Sequence, residues 1–188
     1  MLIPFGVFSA AGAGAGGGAG AYELISTAYG TGSSGTITFS SIPSTYKHLQ
    51  IRFTVRNASS GFYRDIWFTL NSDSSTNYSA HKLTGNGSSV SSSSSVNYTQ
   101  IVGGNTPDSN MSANSFAGGI FDLLDYASTT KAKTSRLFMG FTDSSYPSVQ
   151  LTSGRWGSTA AVTSITITND GSQNFTSQSR FSLYGIKG

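Results

Sequence analysis

The sequence predicts an all-β protein: an antiparallel β-sandwich, jelly-roll-like, with an extended N-terminal arm. Three observations carry that expectation. Apolar residues recur at every second position in one short segment after another. Clusters of Gly, Ser and Asn separate those segments at the spacing of strands and turns. No stretch after Tyr22 sustains a helical period with caps. The composition agrees: 37% of the 188 residues are hydrophobic and 12% aromatic, enough to fill a core. Only 10% are charged, against about 25% in a typical domain. Ser and Thr fill the gap and favour strands and turns.

The first 21 residues stand apart from the rest. Met1 to Phe8 is a short apolar stretch, and a Gly/Ala tract runs from Ala10 to Ala21. A tract without bulky side chains builds no core and reads as an extended linker. Leu2, Ile3, Pro4, Phe5, Val7 and Phe8 then read as an anchor on a tether, because apolar side chains left in water are costly and a partner would cover them. The stretch carries no basic residue and Pro4 interrupts it, which argues against a secretory leader. Residues 22–188 read as a single β-sandwich domain.

Within that domain the period is two. Segments 22–28 and 35–41 come first. The clearest strand is Leu49 to Arg56, where Leu49, Ile51, Phe53 and Val55 alternate with Gln50, Arg52, Thr54 and Arg56. Ile66, Phe68 and Leu70 repeat the pattern, with Trp67 and Thr69 on the opposite face. Segments 78–84, 96–102, 115–124, 134–142 and 147–152 follow, then Thr163, Ile165 and Ile167 against their polar neighbours, and finally 179–186. The run Ser91–Ser95 and the stretch from Gly103 to Asn114 read as loops. About ten short strands of this kind suggest two packed sheets.

Chemistry is sparse. The formal charge is +3, but the eleven Lys and Arg are scattered from Lys47 to Lys187. Nucleic-acid binders concentrate such charge into a patch, so no nucleic-acid partner is expected. No cysteine is present, which removes disulfides, thiolate metal sites and cysteine nucleophiles. No apolar run approaches the roughly 20 residues of a membrane helix, so no membrane insertion is expected. Gly12, Gly14 and Gly17, and again Gly30, Gly32 and Gly35, match a dinucleotide fingerprint. The second match leads into the strand-like Thr36 to Phe39 and the first lies in the Gly/Ala tract, so neither opens the helix that phosphate binding needs. His48 and His81 have no partners at ligand spacing. Asp122 and Asp125, three apart on a strand, point to opposite faces and cannot flank one glycosidic bond. Asp125 reads instead as a salt-bridge or turn-capping residue before Lys131 and Lys133. No enzyme, cofactor or metal site is expected.

Binding chemistry is better represented. Trp67 falls on the polar face of its strand, Trp156 follows Gly154 and Arg155 in a turn-like segment, and Tyr126 lies near a strand end, as do Tyr63 and Tyr146. Exposed rings beside Asn, Ser and Asp suit a sugar, through stacking and hydroxyl hydrogen bonds. The same rings would equally seal the sandwich or a subunit interface, where Trp and Tyr are enriched. Trp67, Tyr126 and Trp156 are therefore candidate glycan or interface aromatics, with a sealing role in the sandwich or an interface favoured over a sugar site.

Several stretches resemble a group of small virion structural proteins of tailed bacteriophages. They are the start MLIPFGVF with its GAGAGGGAGAYELI tract, GTITFSSIPSTYKHLQIRFTVR, FDLLDYASTTKAKTSR, SGRWGSTAAVTSITIT and the C-terminal SRFSLYGIKG. Their order spans nearly the whole chain. The resemblance implies a β-sandwich or jelly-roll subunit, made in the bacterial cytoplasm, displayed on the virion and assembled as a homotrimer. Expected roles are a tail, fibre or baseplate component held to other virion proteins through residues 1–21. Capsid or neck decoration, or recognition of a host-surface glycan, are the alternatives. The resemblance carries no site motif.

Overall fold

A computed structural model describes residues 20–61, 63–143 and 146–188. The strands are β1 (Tyr22–Tyr29), β2 (Ile37–Phe39), β3 (His48–Val55), β4 (Tyr63–Leu70), β5 (Tyr78–Gly85), β6 (Val90–Tyr98), β7 (Ile101–Pro107), β8 (Ala117–Leu124), β9 (Lys133–Phe141), β10 (Ser148–Trp156), β11 (Ile165–Asn169) and β12 (Arg180–Ile186). Helical structure among the described residues is confined to a 3-10 turn at Asp170–Ser172.

The strands form two antiparallel sheets. The larger runs β1-β12-β3-β8-β9-β10-β5-β6 and the smaller β2-β11-β4-β7. Four pairs nest inside one another: β1 with β12, β2 with β11, β3 with β8 and β4 with β7. Successive pairs fall alternately on the large and small sheets. This is jelly-roll winding, a long hairpin rolled over on itself. Hairpin β5–β6 is inserted in the innermost connection, and β9–β10 between β8 and β11. Both insertions extend the large sheet beyond β8, so it overhangs the small one.

Period-two burial produces the core. Ile66, Phe68 and Leu70 point inward from β4, and Ile51, Phe53 and Val55 from β3. The closest link between the sheets is Phe68 on β4 against Phe121 on β8, stacked with ring centroids 4.1 Å apart and planes 6° from parallel. Phe53 stacks on Phe181 at 5.9 Å, and Phe175 closes on Phe181 at 5.2 Å.

Two stretches expected as loops are strands. Ser91–Ser95 forms the middle of β6, paired with β5 from Gly85↔Val90 through Ala80↔Ser95. Its side chains carry no period because both faces of this edge strand meet solvent; the backbone ladder alone holds it. The turn before it explains its register: Asn86 Oδ1 accepts from Ser88 N at 3.1 Å and from Ser89 N at 2.8 Å, and Gly87 takes φ 87°. That is an Asx turn closing a hairpin. Likewise Gly103 to Pro107 belongs to β7, and the loop begins only at Asp108. Arg56 pins that loop by donating to the carbonyls of Met111, Ser112 and Ser115 at 2.8–3.0 Å.

Candidate functional site

The anchor residues Leu2, Ile3, Pro4, Phe5, Val7 and Phe8 lie outside the described residues. The described chain enters the fold at the edge of the large sheet, where Tyr22 pairs with Ile186 and Lys187 N donates to Ala21 O at 3.0 Å.

Two of the three aromatics singled out from sequence belong to the core. Trp156 is the last residue of β10, not part of a turn, and is 2% exposed. Its indole lies 6.1 Å from the Tyr78 ring at 19°, and its Nε1 donates to Asp73. Tyr126 is fully buried; its hydroxyl donates to the Pro43 carbonyl and accepts from Tyr46 N. Burial pushes the Tyr126 phenol above its ordinary pKa. Neither ring offers a face to a ligand. This is the sealing role favoured from sequence over a sugar site, although the partners of each ring, distant along the chain, were not legible there.

Trp67 is placed differently. Ile66 and Phe68 beside it turn into the core, so its ring lies on the outer face of β4, half-buried. There it lines a groove of about 320 Å³ between β4, β7 and the overhanging β5–β6 hairpin. Tyr98 at the end of β6 supplies a second ring, Ala80 and Val102 supply apolar surface, and Ser93 and Ser95 supply hydroxyls. Asp65 and Lys82 cross the groove as an ion pair at 3.2 Å. Asn105 Nδ2 donates to the same Asp65 oxygen, also at 3.2 Å, and Asn105 is itself hydrogen-bonded to Gln150. The carboxylate is thus fixed from both sheets. The Trp67 Nε1 is buried and has no acceptor among the described residues. Sequence inspection missed Asp65, Lys82 and Tyr98. The available signal was Lys82 itself, a cation in register with buried Ala80 on the inward side of β5.

A second feature lies on the outer face of the large sheet. Cross-strand register aligns Arg52, Ile120, Phe138, Leu151, Leu83 and Ser92 in one row over β3, β8, β9, β10, β5 and β6. The four apolar members are 40–58% exposed, and Val149 lies beside them on β10. Three polar side chains beside the row have partners. Arg136 lies 3.6 Å from Asp122, Gln50 donates to Asp122 at 2.8 Å, and Arg52 sits over the Tyr22 and Tyr184 rings.

Asp125 and His48 have structural partners. Asp125 binds Lys47 at 2.9 Å and Lys131 at 2.8 Å. The hydrogen bonds from Lys131 and then Lys47 hold its carboxyl down to about pKa 2. His48 Nδ1 accepts from Asp125 N at 3.0 Å. Tyr63 and Tyr146 meet edge to face at 6.4 Å. Among the described residues no helix is long and apolar enough to cross a membrane, and no three His, Cys, Asp or Glu gather as metal ligands would. No protein family, curated protein or solved structure matches this chain.

Proposed function

We propose that this chain is a self-associating structural subunit of a bacteriophage virion, a tail, fibre or baseplate component, whose large sheet packs against copies of itself while residues 1–21 attach it to the particle. The observation that carries the reading is the apolar row Ile120–Phe138–Leu151–Leu83. Neighbouring strands lie about 4.8 Å apart, so the row spans the width of four strands on a face with few interruptions. An exposed apolar patch of this kind marks an interaction surface. A second copy is the fitting occupant because the row is apolar over four strands and offers a matching apolar face, and the Arg136–Asp122 pair beside it is closed within the chain. The exposed edge β6 supports the same reading: nine residues with neither charge nor proline, lacking the usual devices that keep sheet edges apart. The resemblance to virion proteins supplies the setting, and jelly rolls are common in capsid subunits.

Sedimentation velocity of the full chain tests the assembly. The wild type is expected as a trimer, and Phe138→Glu with Leu151→Glu as a monomer with an unchanged circular dichroism spectrum. A wild-type monomer at the highest soluble concentration overturns the reading. Deleting residues 1–20 tests the attachment: the truncated chain should fold and fail to join particles, and its normal incorporation refutes the anchor. Labelling the particle separates a tail position from capsid or neck decoration.

A further inference from the structure

We propose that the Trp67 groove is a binding site for a neutral saccharide segment. The inference rests on the groove alone and is independent of self-association through the opposite face of the sheet.

Three properties of the groove converge on that ligand class. First, Trp67 and Tyr98 bring two aromatic rings to one cavity, and Tyr98 is 45% exposed. Ring faces attract flat ligand surfaces that carry C–H groups, as the face of a pyranose does, and leave its hydroxyls free at the edge. Second, the rest of the lining both donates and accepts. Ser93 and Ser95 hydroxyls do either, Asp65 accepts and Lys82 donates. A polyol needs this mixture, because each of its hydroxyls presents both a proton and lone pairs. Third, the groove has no charge surplus. Asp65 and Lys82 neutralise each other at 3.2 Å, and the remaining lining residues are uncharged. A phosphorylated or acidic ligand would have to break that pair to gain an ionic contact, whereas a neutral sugar bridges it intact. The volume of about 320 Å³ lies at the small end of ligand sites, roughly 300–1,000 Å³, which suits a short segment of a longer chain.

The placement supports recognition of a polymer. The groove lies between the small sheet and an overhanging hairpin, so a chain can run through it while one residue is held against the rings. Asp65 is fixed by Lys82 and by the Asn105–Gln150 link, so the polar side is set before the ligand arrives. Preorganisation of this sort lowers the ordering cost of binding.

The two tryptophans make the test direct. Trp156 is buried and hydrogen-bonded, so a ligand-induced change in indole fluorescence reports Trp67. The full chain is titrated with neutral glucose-, galactose- and mannose-based oligosaccharides, and with a polyuronic acid as the acidic arm. At least one neutral series is expected to shift the fluorescence saturably. By calorimetry, Tyr98→Ala and Trp67→Ala should each weaken binding about tenfold or more. Tyr29→Ala, on β1 at the opposite edge of the large sheet from β6, should bind normally, and sedimentation should be unchanged in all three. Because Trp67→Ala could perturb β4, Tyr98→Ala at the exposed end of β6 carries the decision. Saturable binding that survives in Tyr98→Ala overturns the proposal. So does binding of the polyuronic acid alone, or a flat titration with every neutral sugar.

Discussion

Trp156 Nε1 donates to Asp73 Oδ2 at 2.7 Å, joining residues 83 apart in sequence. Asp73 also accepts from Ser75 N and from Asn77 Nδ2, so one carboxylate organises the turn before β5 and anchors the end of β10. Replacing it by Ala removes the acceptor of a buried indole N–H. Asp73→Ala should lower stability by about 2 kcal/mol, measured by urea unfolding at neutral pH.

The same carboxylate gives a pH dependence. Hydrogen bonds from Ser75 first, and then from Trp156, hold Asp73 well below its ordinary 3.8. A group whose folded pKa is depressed stabilises the fold above its unfolded pKa, and that contribution fades as pH falls toward the folded value. Wild type should therefore lose stability progressively below about pH 4, while Asp73→Ala, already lacking the contribution, should show a shallower decline. Parallel acid profiles for the two proteins would remove Asp73 from this role.

Lys133 is a buried cation held without a carboxylate in its shell. Its Nζ donates to the carbonyls of Ser128 at 2.7 Å, Lys131 at 2.8 Å and Thr159 at 3.0 Å. Burial lowers its pKa, but three oxygens compensate the ammonium and clasp the turn before β9 to the loop after β10. Lys133→Met keeps the aliphatic stem and leaves three carbonyls unpaired. A loss of roughly 3 kcal/mol is expected, with hydrogen exchange accelerated first at residues 127–132 and 157–162. A melting temperature equal to wild type contradicts the clasp.

Two glycines give a matched test of backbone approach. A Cβ on Gly30 would lie 2.1 Å from the Thr176 carbonyl oxygen, and that obstacle is backbone. A Cβ on Gly118, on the outer face of β8, would meet nothing within 4 Å. Gly30→Ala should cost about 3 kcal/mol through forced displacement of the chain after β11. Gly118→Ala should be neutral or slightly stabilising, since Ala loses less backbone entropy in a strand. Equal melting temperatures in the two variants would show that the Gly30 contact relaxes freely.

The legible parts of this fold were those whose side chains carry a period. Leu49 to Val55 and Ile66 to Leu70 show two-fold alternation, because each strand has one face on the core. β6 shows none, since five consecutive serines look alike from either face and only the ladder to β5 identifies them as strand. Trp67 was legible as an outward ring because Ile66 and Phe68 fix its direction. The strand position of Trp156 was not, nor were its partners Tyr78 and Asp73, which topology alone brings near. The groove was hidden for the same reason. Asp65, Lys82 and Tyr98 come from three strands, and their meeting depends on where the inserted hairpin joins the large sheet.

An aromatic pair links the inner faces of the two sheets. Phe68 belongs to the small sheet and Phe121 to the large one, and their near-parallel stacking at 4.1 Å is the closest ring pair recorded between them. Both side chains are essentially fully buried, so truncating either opens a cavity that the rigid ladders on each side cannot close. Phe68→Ala and Phe121→Ala should each cost about 3–5 kcal/mol. The double variant should cost less than their sum by about 1 kcal/mol, because the stacking term is lost only once. Phe68 also sits next to Trp67 with its ring on the opposite face of β4, so loosening it loosens the strand that presents the indole. The milder Phe68→Leu should fold, shift Trp67 fluorescence and leave Phe121 buried. Strict additivity in the double-mutant cycle would mean that the sheets are held by area alone, without a specific contribution from this pair.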